Sequence, residues 1–259
     1  MKKYLSVFAL AARATLGKII LLIVTLMAAE AGMFYLQLRT TQHLGILEEM
    51  IDSSRVYLLF IVCYIGVFII LEAFAGKQKG SNPAYMVNRL SVSQGQFAIV
   101  CSVYNICCLT LLFASQAATD LVLVHIYTEL NTADPYGPAA FLAFYRNDFF
   151  HGLLHLGDLY SIITNAILLI SLGTAIACSS WKTRQGGKDL LAVVFFISTA
   201  LLIVRRTIEQ SGFCNFFILT FSIIALVISA IRIKKGVPPD EDYLDSGGLF
   251  SSRNALAAG

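Results

Sequence analysis

Six long apolar runs, each closed by charged or turn-forming residues, constrain this chain more than any other feature. They cover about residues 19–36, 57–74, 97–124, 160–178, 190–204 and 213–231. A helix that crosses the hydrocarbon core of a bilayer needs about 20 mainly apolar residues, within a range of about 17–25. Five runs meet that. The run Leu190–Val204 has only 15 residues between Asp189 and Arg205 and reaches about 22 Å at ~1.5 Å per residue. It is kept as a span, expected to end below one surface, to thin the bilayer, or to let Arg205 and Arg206 snorkel. Without it the two chain ends would fall on opposite sides. The chain is 57% hydrophobic and 14% charged, against about 25% charged in a soluble domain. These observations define an all-α polytopic membrane protein with six transmembrane helices.

The remaining segments fit around that bundle. Residues 1–18 are moderately apolar but too short to span, and Arg13 and Lys18 interrupt them. They are expected to form a helix in the interface that turns into the bilayer at Gly17-Lys18. The Met1-Lys2-Lys3 start hints at a signal peptide, but no small-residue cleavage site precedes the first long run. Residues 19–233 make up the transmembrane domain. Residues 234–259 form a tail, acidic and then rich in Gly, Ser and Ala, expected to be disordered.

Charge sets the orientation. With the N-terminus in the cytoplasm, fourteen Lys and Arg residues lie inside and five (Arg39, Arg55, Arg146, Arg205 and Arg206) lie outside. The positive-inside rule then puts both termini in the cytoplasm. Most acids fall outside, including Asp120, Asp148, Asp158 and Glu209. The net charge of +3 is too small, and too tightly placed beside apolar runs, to suggest a nucleic-acid partner. The six cysteines lack metal-ligand spacing and read as small buried hydrophobes. Cys107 and Cys108 are adjacent and point apart on a helix.

The interval between the second and third runs is polar, basic and rich in glycine. Asn82 can cap a short helix whose first position suits Pro83, and Ala84 to Leu90 follow without a breaker. Ser93-Gln94-Gly95-Gln96 then opens the third run with a capping-box pattern. Two readings stand: an ordinary cytoplasmic loop with a little helix, or a helix held at the membrane for a soluble protein to push on.

Three other constellations carry possible chemistry. Asp148, His151, His155 and Asp158 fall on nearly one helical face, and two histidines at i, i+4 beside a carboxylate could bind zinc. The same pattern suits a surface amphipathic helix, since Phe149, Phe150, Leu153, Leu154 and Leu156 make its apolar side. Glu30 and Glu72 are read as the only acids well inside apolar runs. An intramembrane carboxylate costs ~2.5–3.5 kcal/mol on insertion scales and usually faces a cavity or a partner. Glu72 is close enough to the cytoplasmic end to snorkel. Glu30 is deeper, and either lines a pathway or bonds a neighbouring helix. Finally, Leu90–Gln96 is superficially similar to the signature loop of ATP-binding cassettes. No phosphate-binding Gly-x-x-x-x-Gly-Lys-Ser/Thr accompanies it, so any ATP must be hydrolysed by another chain.

The layout resembles the membrane-spanning permease of a type-2 ATP-binding-cassette transporter. The likeness covers residues 1–236: an interfacial N-terminal helix, six spans with both ends inside, and a cytoplasmic helix before the third span. A long external interval and an early-ending fifth span also fit. Permeases of this class carry Leu-Pro-(Val/Ile)-(Ser/Thr)-(Arg/Lys) before the third span. Here Leu90, Val92 and Ser93 match, while Ser91 and Gln94 depart from it.

The resemblance implies a multi-pass protein of a bacterial cell membrane, paired with a second permease copy or homologue and with cytoplasmic ATPase subunits. Those subunits, and not this chain, would hold ATP and magnesium; no cofactor is expected on the chain itself. Asn82, Pro83, Tyr85, Met86, Arg89 and Leu90 would form the coupling helix, with Tyr85 and Met86 as apolar anchors and Arg89 facing an acidic partner. The cargo implied is amphipathic or apolar, such as a peptide or drug. The alternatives are a membrane-embedded metal-dependent hydrolase built on the Asp148/His151/His155/Asp158 face, and a non-enzymatic membrane adaptor.

Overall fold

The computed structural model describes residues 2–40, 55–73, 94–130, 146–153, 158–184, 189–204, 206 and 210–235. All the regular structure among them is helical: α1 Lys2–Thr40, α2 Val56–Ala73, α3 Gln94–Leu130, α4 Asp148–Leu153, α5 Leu159–Arg184, α6 Leu190–Val204 and α7 Ser211–Lys235. Five of these (α1, α2, α3, α5 and α7) are long and apolar enough to cross a membrane, and α6 is a shorter apolar helix.

The first departure from the sequence reading is α1, which runs unbroken through Gly17-Lys18. Its buried positions explain why. Val7, Ala11, Thr15, Ile19, Ile23, Leu26, Glu30 and Phe34 recur every three or four residues on one face, the spacing that keeps a single stripe against neighbours. Gly17 lies off that stripe, exposed and with open space beside it, so it interrupts no contact. A separate interfacial helix over 1–18 is therefore replaced by one helix of 39 residues, about 58 Å long. The third and fourth runs are likewise longer as helices than as apolar stretches.

The core is built around α5, more than half of whose membrane window is buried, whereas less than a quarter of α7's is. Small residues let α5 sit there. Ser171, Gly173, Ala175, Ala177 and Ser179 are all buried, and small side chains allow helices in lipid to approach closely. At Gly173 an added Cβ would lie 2.4 Å from Ile106 Cγ1 of α3 and 3.0 Å from its backbone nitrogen. Asn105 Nδ2 of α3 donates to Gly173 O across the same crossing, at 3.3 Å.

Beside this crossing lies an aromatic layer. The rings of Tyr64 and Phe196 stack at 4.5 Å, those of Phe68 and Phe196 at 4.1 Å, and Phe113 meets Phe60 edge-on at 5.3 Å. These offset and edge-to-face arrangements suit the ring quadrupoles. The layer joins α2, α3 and α6, and Phe149 of α4 closes it against Phe60.

Contacts sort the helix ends to the two ends of the bundle. At one, Val7 of α1 packs with Phe97 and Cys101 of α3 and Ala177 of α5. Glu72 of α2 meets Ser179 of α5, and Asp189, just before α6, pairs with Arg232 of α7. At the other, Arg206 after α6 reaches Gly152 of α4 and Asn165 of α5, while Asn215 of α7 bonds Ser161 of α5. Although α6 has 15 residues, Asp189 and Arg206 anchor its two flanks at opposite ends. Of the three ways open to this short run, snorkelling does not describe Arg206. It is buried and turned inward.

Candidate functional site

Along the buried stripe of α1, the residue after Leu26 is Glu30, an acid with no exposed surface. Running beside α1 in the same direction, α3 supplies its neighbours. The two helices are pinned first by Thr15 and Tyr104, whose hydroxyls lie 2.6 Å apart. Twelve residues further along α3 comes Gln116, in register with Glu30. Gln116 Nε2 donates to Glu30 Oε2 at 3.0 Å and to Asp120 Oδ1 at 2.9 Å, the latter one turn along α3. One amide nitrogen therefore ties together two carboxylates from different helices. Glu30 and Asp120 are 0% exposed and Gln116 is 1% exposed, so none of them reaches the surface. Glu30 Oε1, Asp120 Oδ2 and Gln116 Oε1 have no hydrogen-bond partner among the described residues.

Sequence reasoning found one third of this site. Glu30 was legible as a deep acid that would bond a neighbour or line a pathway, and it does bond a neighbour. Asp120, by contrast, reads from the sequence as an outer-side acid, with Glu30 and Glu72 the only acids well inside apolar runs. In the fold it is buried, inside the apolar stretch Gly95–Tyr127 of α3. The available signal was its spacing: Gln116 and Asp120 stand at i, i+4 in an otherwise apolar run, and so share a helix face.

Glu72 is also held by a partner and does not snorkel free. Its Oε1 accepts from Ser179 Oγ at 2.6 Å, and its Oε2 is buried without a partner among the described residues. Asp189 nearby caps α6 by accepting from Leu191 N at 3.2 Å, and its other oxygen takes the Arg232 guanidinium. The pairing serves both an orphan N–H of the helix start and a cation at the end of α7.

At the other end, Arg206 Nη1 donates to Gly152 O and to Asn165 Oδ1, both at 2.9 Å. Burial pushes this guanidinium down to about 10, with Cys214 and then Asp158 holding it up. It stays cationic at neutral pH, serving as a clamp of α4 onto α5.

Of the four residues weighed as a metal face, Asp148 and His151 belong to α4 but their side chains lie outside the described residues, as does His155 entirely. Asp158 has another task. Its Oδ1 accepts from Tyr160 N at 3.1 Å, and its Oδ2 takes the Ser161 hydroxyl, which caps α5. Asn82, Pro83, Tyr85, Met86, Arg89 and Leu90 all lie outside the described residues. The cysteines are free thiols, with Cys107 exposed on α3 and Cys108 buried beside it.

The arrangement defines a multi-pass helical membrane protein with a buried acidic centre between its first and third helices. Compared with known protein families, with curated proteins and with solved structures, the chain has no match in any of the three.

Proposed function

We propose that this chain is the membrane-spanning permease subunit of a type-2 ATP-binding-cassette transporter that exports an amphipathic or apolar cargo. Six helices cross the bilayer, α6 among them, with both termini in the cytoplasm. A second permease copy or homologue completes the pathway, and cytoplasmic ATPase subunits supply the free energy. The observation that carries this reading is where α2 ends and α3 begins. Ala73 lies one residue beyond Glu72, which is bonded to α5. Gly95, at the start of α3, lies against Ile233 of α7. Both therefore stand at the end of the bundle that also holds Lys182, Arg232 and Lys234, the side expected to face the cytoplasm. A soluble ATPase pushing on residues 74–93 would act directly on α2 and α3. Of these, α3 carries Gln116 and Asp120, and α2 carries the Phe60–Tyr64–Phe68 ring layer. Differential contact of this kind is what a driven change of state requires.

The test is co-purification of the tagged chain with an ATP-binding-cassette ATPase from its native host, followed by ATPase assay of the complex. Tyr85→Ala with Arg89→Glu is expected to weaken the complex and its hydrolysis. An intact complex with unchanged hydrolysis would remove residues 82–93 from the coupling role. Failure to recover any such ATPase with the unmodified chain would contradict the permease assignment.

A further inference from the structure

From the geometry between α1 and α3 we infer that Glu30, Gln116 and Asp120 form an intramembrane binding site for a hydrogen ion. The inference does not depend on what powers the protein or on what it carries.

Hydrogen-bond supply is the first reason. Two carboxylates and one primary amide present five oxygens that can only accept when both acids are ionised, and the sole donor among the three residues is Gln116 Nε2. That nitrogen is already committed to Glu30 Oε2 and Asp120 Oδ1. Three buried acceptors, Glu30 Oε1, Asp120 Oδ2 and Gln116 Oε1, are left without a donor among the described residues. Gln116 is the independent marker, because its amide stands between the carboxylates and its own oxygen is an orphan. A proton on either acid creates the missing donor.

Charge is the second reason. The two bonded oxygens are no farther apart than the two hydrogen bonds laid end to end, and both acids lie in helices apolar enough to cross a membrane. Like charges sharing such a site repel, which favours a proton on one of them, and charge buried in hydrocarbon is expensive. Among the described residues no cation is paired with either acid. The titratable group that a neighbouring helix brings near is Cys63 of α2, whose thiol donates to Leu22 O at 4.0 Å. On α3 itself, His125 and Tyr127 lie beyond Asp120, His125 being exposed.

Uptake transfers one proton from the aqueous phase, forms one O–H bond on a carboxylate oxygen, and takes the site from two negative charges to one. Release does the reverse and restores repulsion between α1 and α3, so occupancy of the site bears on how closely those helices pack.

The test is infrared difference spectroscopy of the full chain in lipid nanodiscs, titrated through neutral pH in the presence and absence of sodium. Glu30→Gln and Asp120→Asn are measured in parallel. The expected result is a protonated-carboxyl C=O stretch at neutral pH that does not change with sodium and is lost or shifted in each single variant. If one variant fails to fold, the band change in the other carries the test. A spectrum showing only ionised carboxylates at neutral pH would overturn the inference. So would a carboxylate band that shifts with sodium and not with pH, because the site would then hold a metal cation.

Discussion

Gln116 holds two acids at once, so its removal tests the centre at the level of a single side chain. Gln116→Leu keeps the volume but deletes the only donor that Glu30 and Asp120 share. Leaving buried polar groups unsatisfied costs about 1–3 kcal/mol, and thermal unfolding in detergent is expected to show a loss of that order. Arg206 offers a second test. Arg206→Ala and Asn165→Ala are expected to be non-additive, because one guanidinium nitrogen serves both Gly152 O and Asn165. A double-mutant cycle by thermal unfolding measures the coupling, expected at about 0.5–3 kcal/mol. The contact should not vary between about pH 5 and 9, because a guanidinium pushed down to about 10 keeps its proton throughout that range. Residue identity alone did not reveal either arrangement. Arg206 read as a surface cation because the run before it is short, and only packing against Gly152 and Asn165 turns it inward. Asp120 read as external because it stands near the end of its apolar run.

At the scale of helices, α3 and α5 approach closely at Gly173, and glycine substitutions separate packing from propensity. Gly173→Ala places a methyl 2.4 Å from Ile106 Cγ1. Overpacking of this kind costs about 1–3 kcal/mol. Adding Ile106→Ala is expected to recover part of the loss, and only part, because the Ile106 backbone is close as well. Gly17→Ala meets nothing within 4 Å and is expected to stabilise α1 by about 0.5–1 kcal/mol. Comparison of melting temperatures in one detergent checks all three. Existence of the elements was legible because hydrophobic length is a long-range signal: all six apolar runs became helices, with α6 spanning Leu190–Val204 as read. The unbroken α1 was not legible. Gly17-Lys18 looks like a stop locally, and the four-residue stripe through Ala11, Thr15 and Ile19 that overrides it gains its meaning only from the face of α3 that it meets.

For the molecule as a whole, the two ends of the bundle differ in a way the sequence foreshadowed. Among the described residues Lys182, Arg232 and Lys234 stand at one end, and buried polar pairs tie each end together: Asp189 with Arg232 at one, Arg206 with Asn165 at the other. The proposed permease reading puts residues 74–93 on the cytoplasmic face, where a separate ATPase would reach them. The most direct measurement is labelling of single added cysteines in intact cells with a membrane-impermeant thiol reagent. Tyr85→Cys is expected to stay unlabelled until the cells are permeabilised, while Leu159→Cys, at the exposed start of α5, reacts from outside. Labelling of Tyr85→Cys in intact cells, with Leu159→Cys protected, would contradict the account.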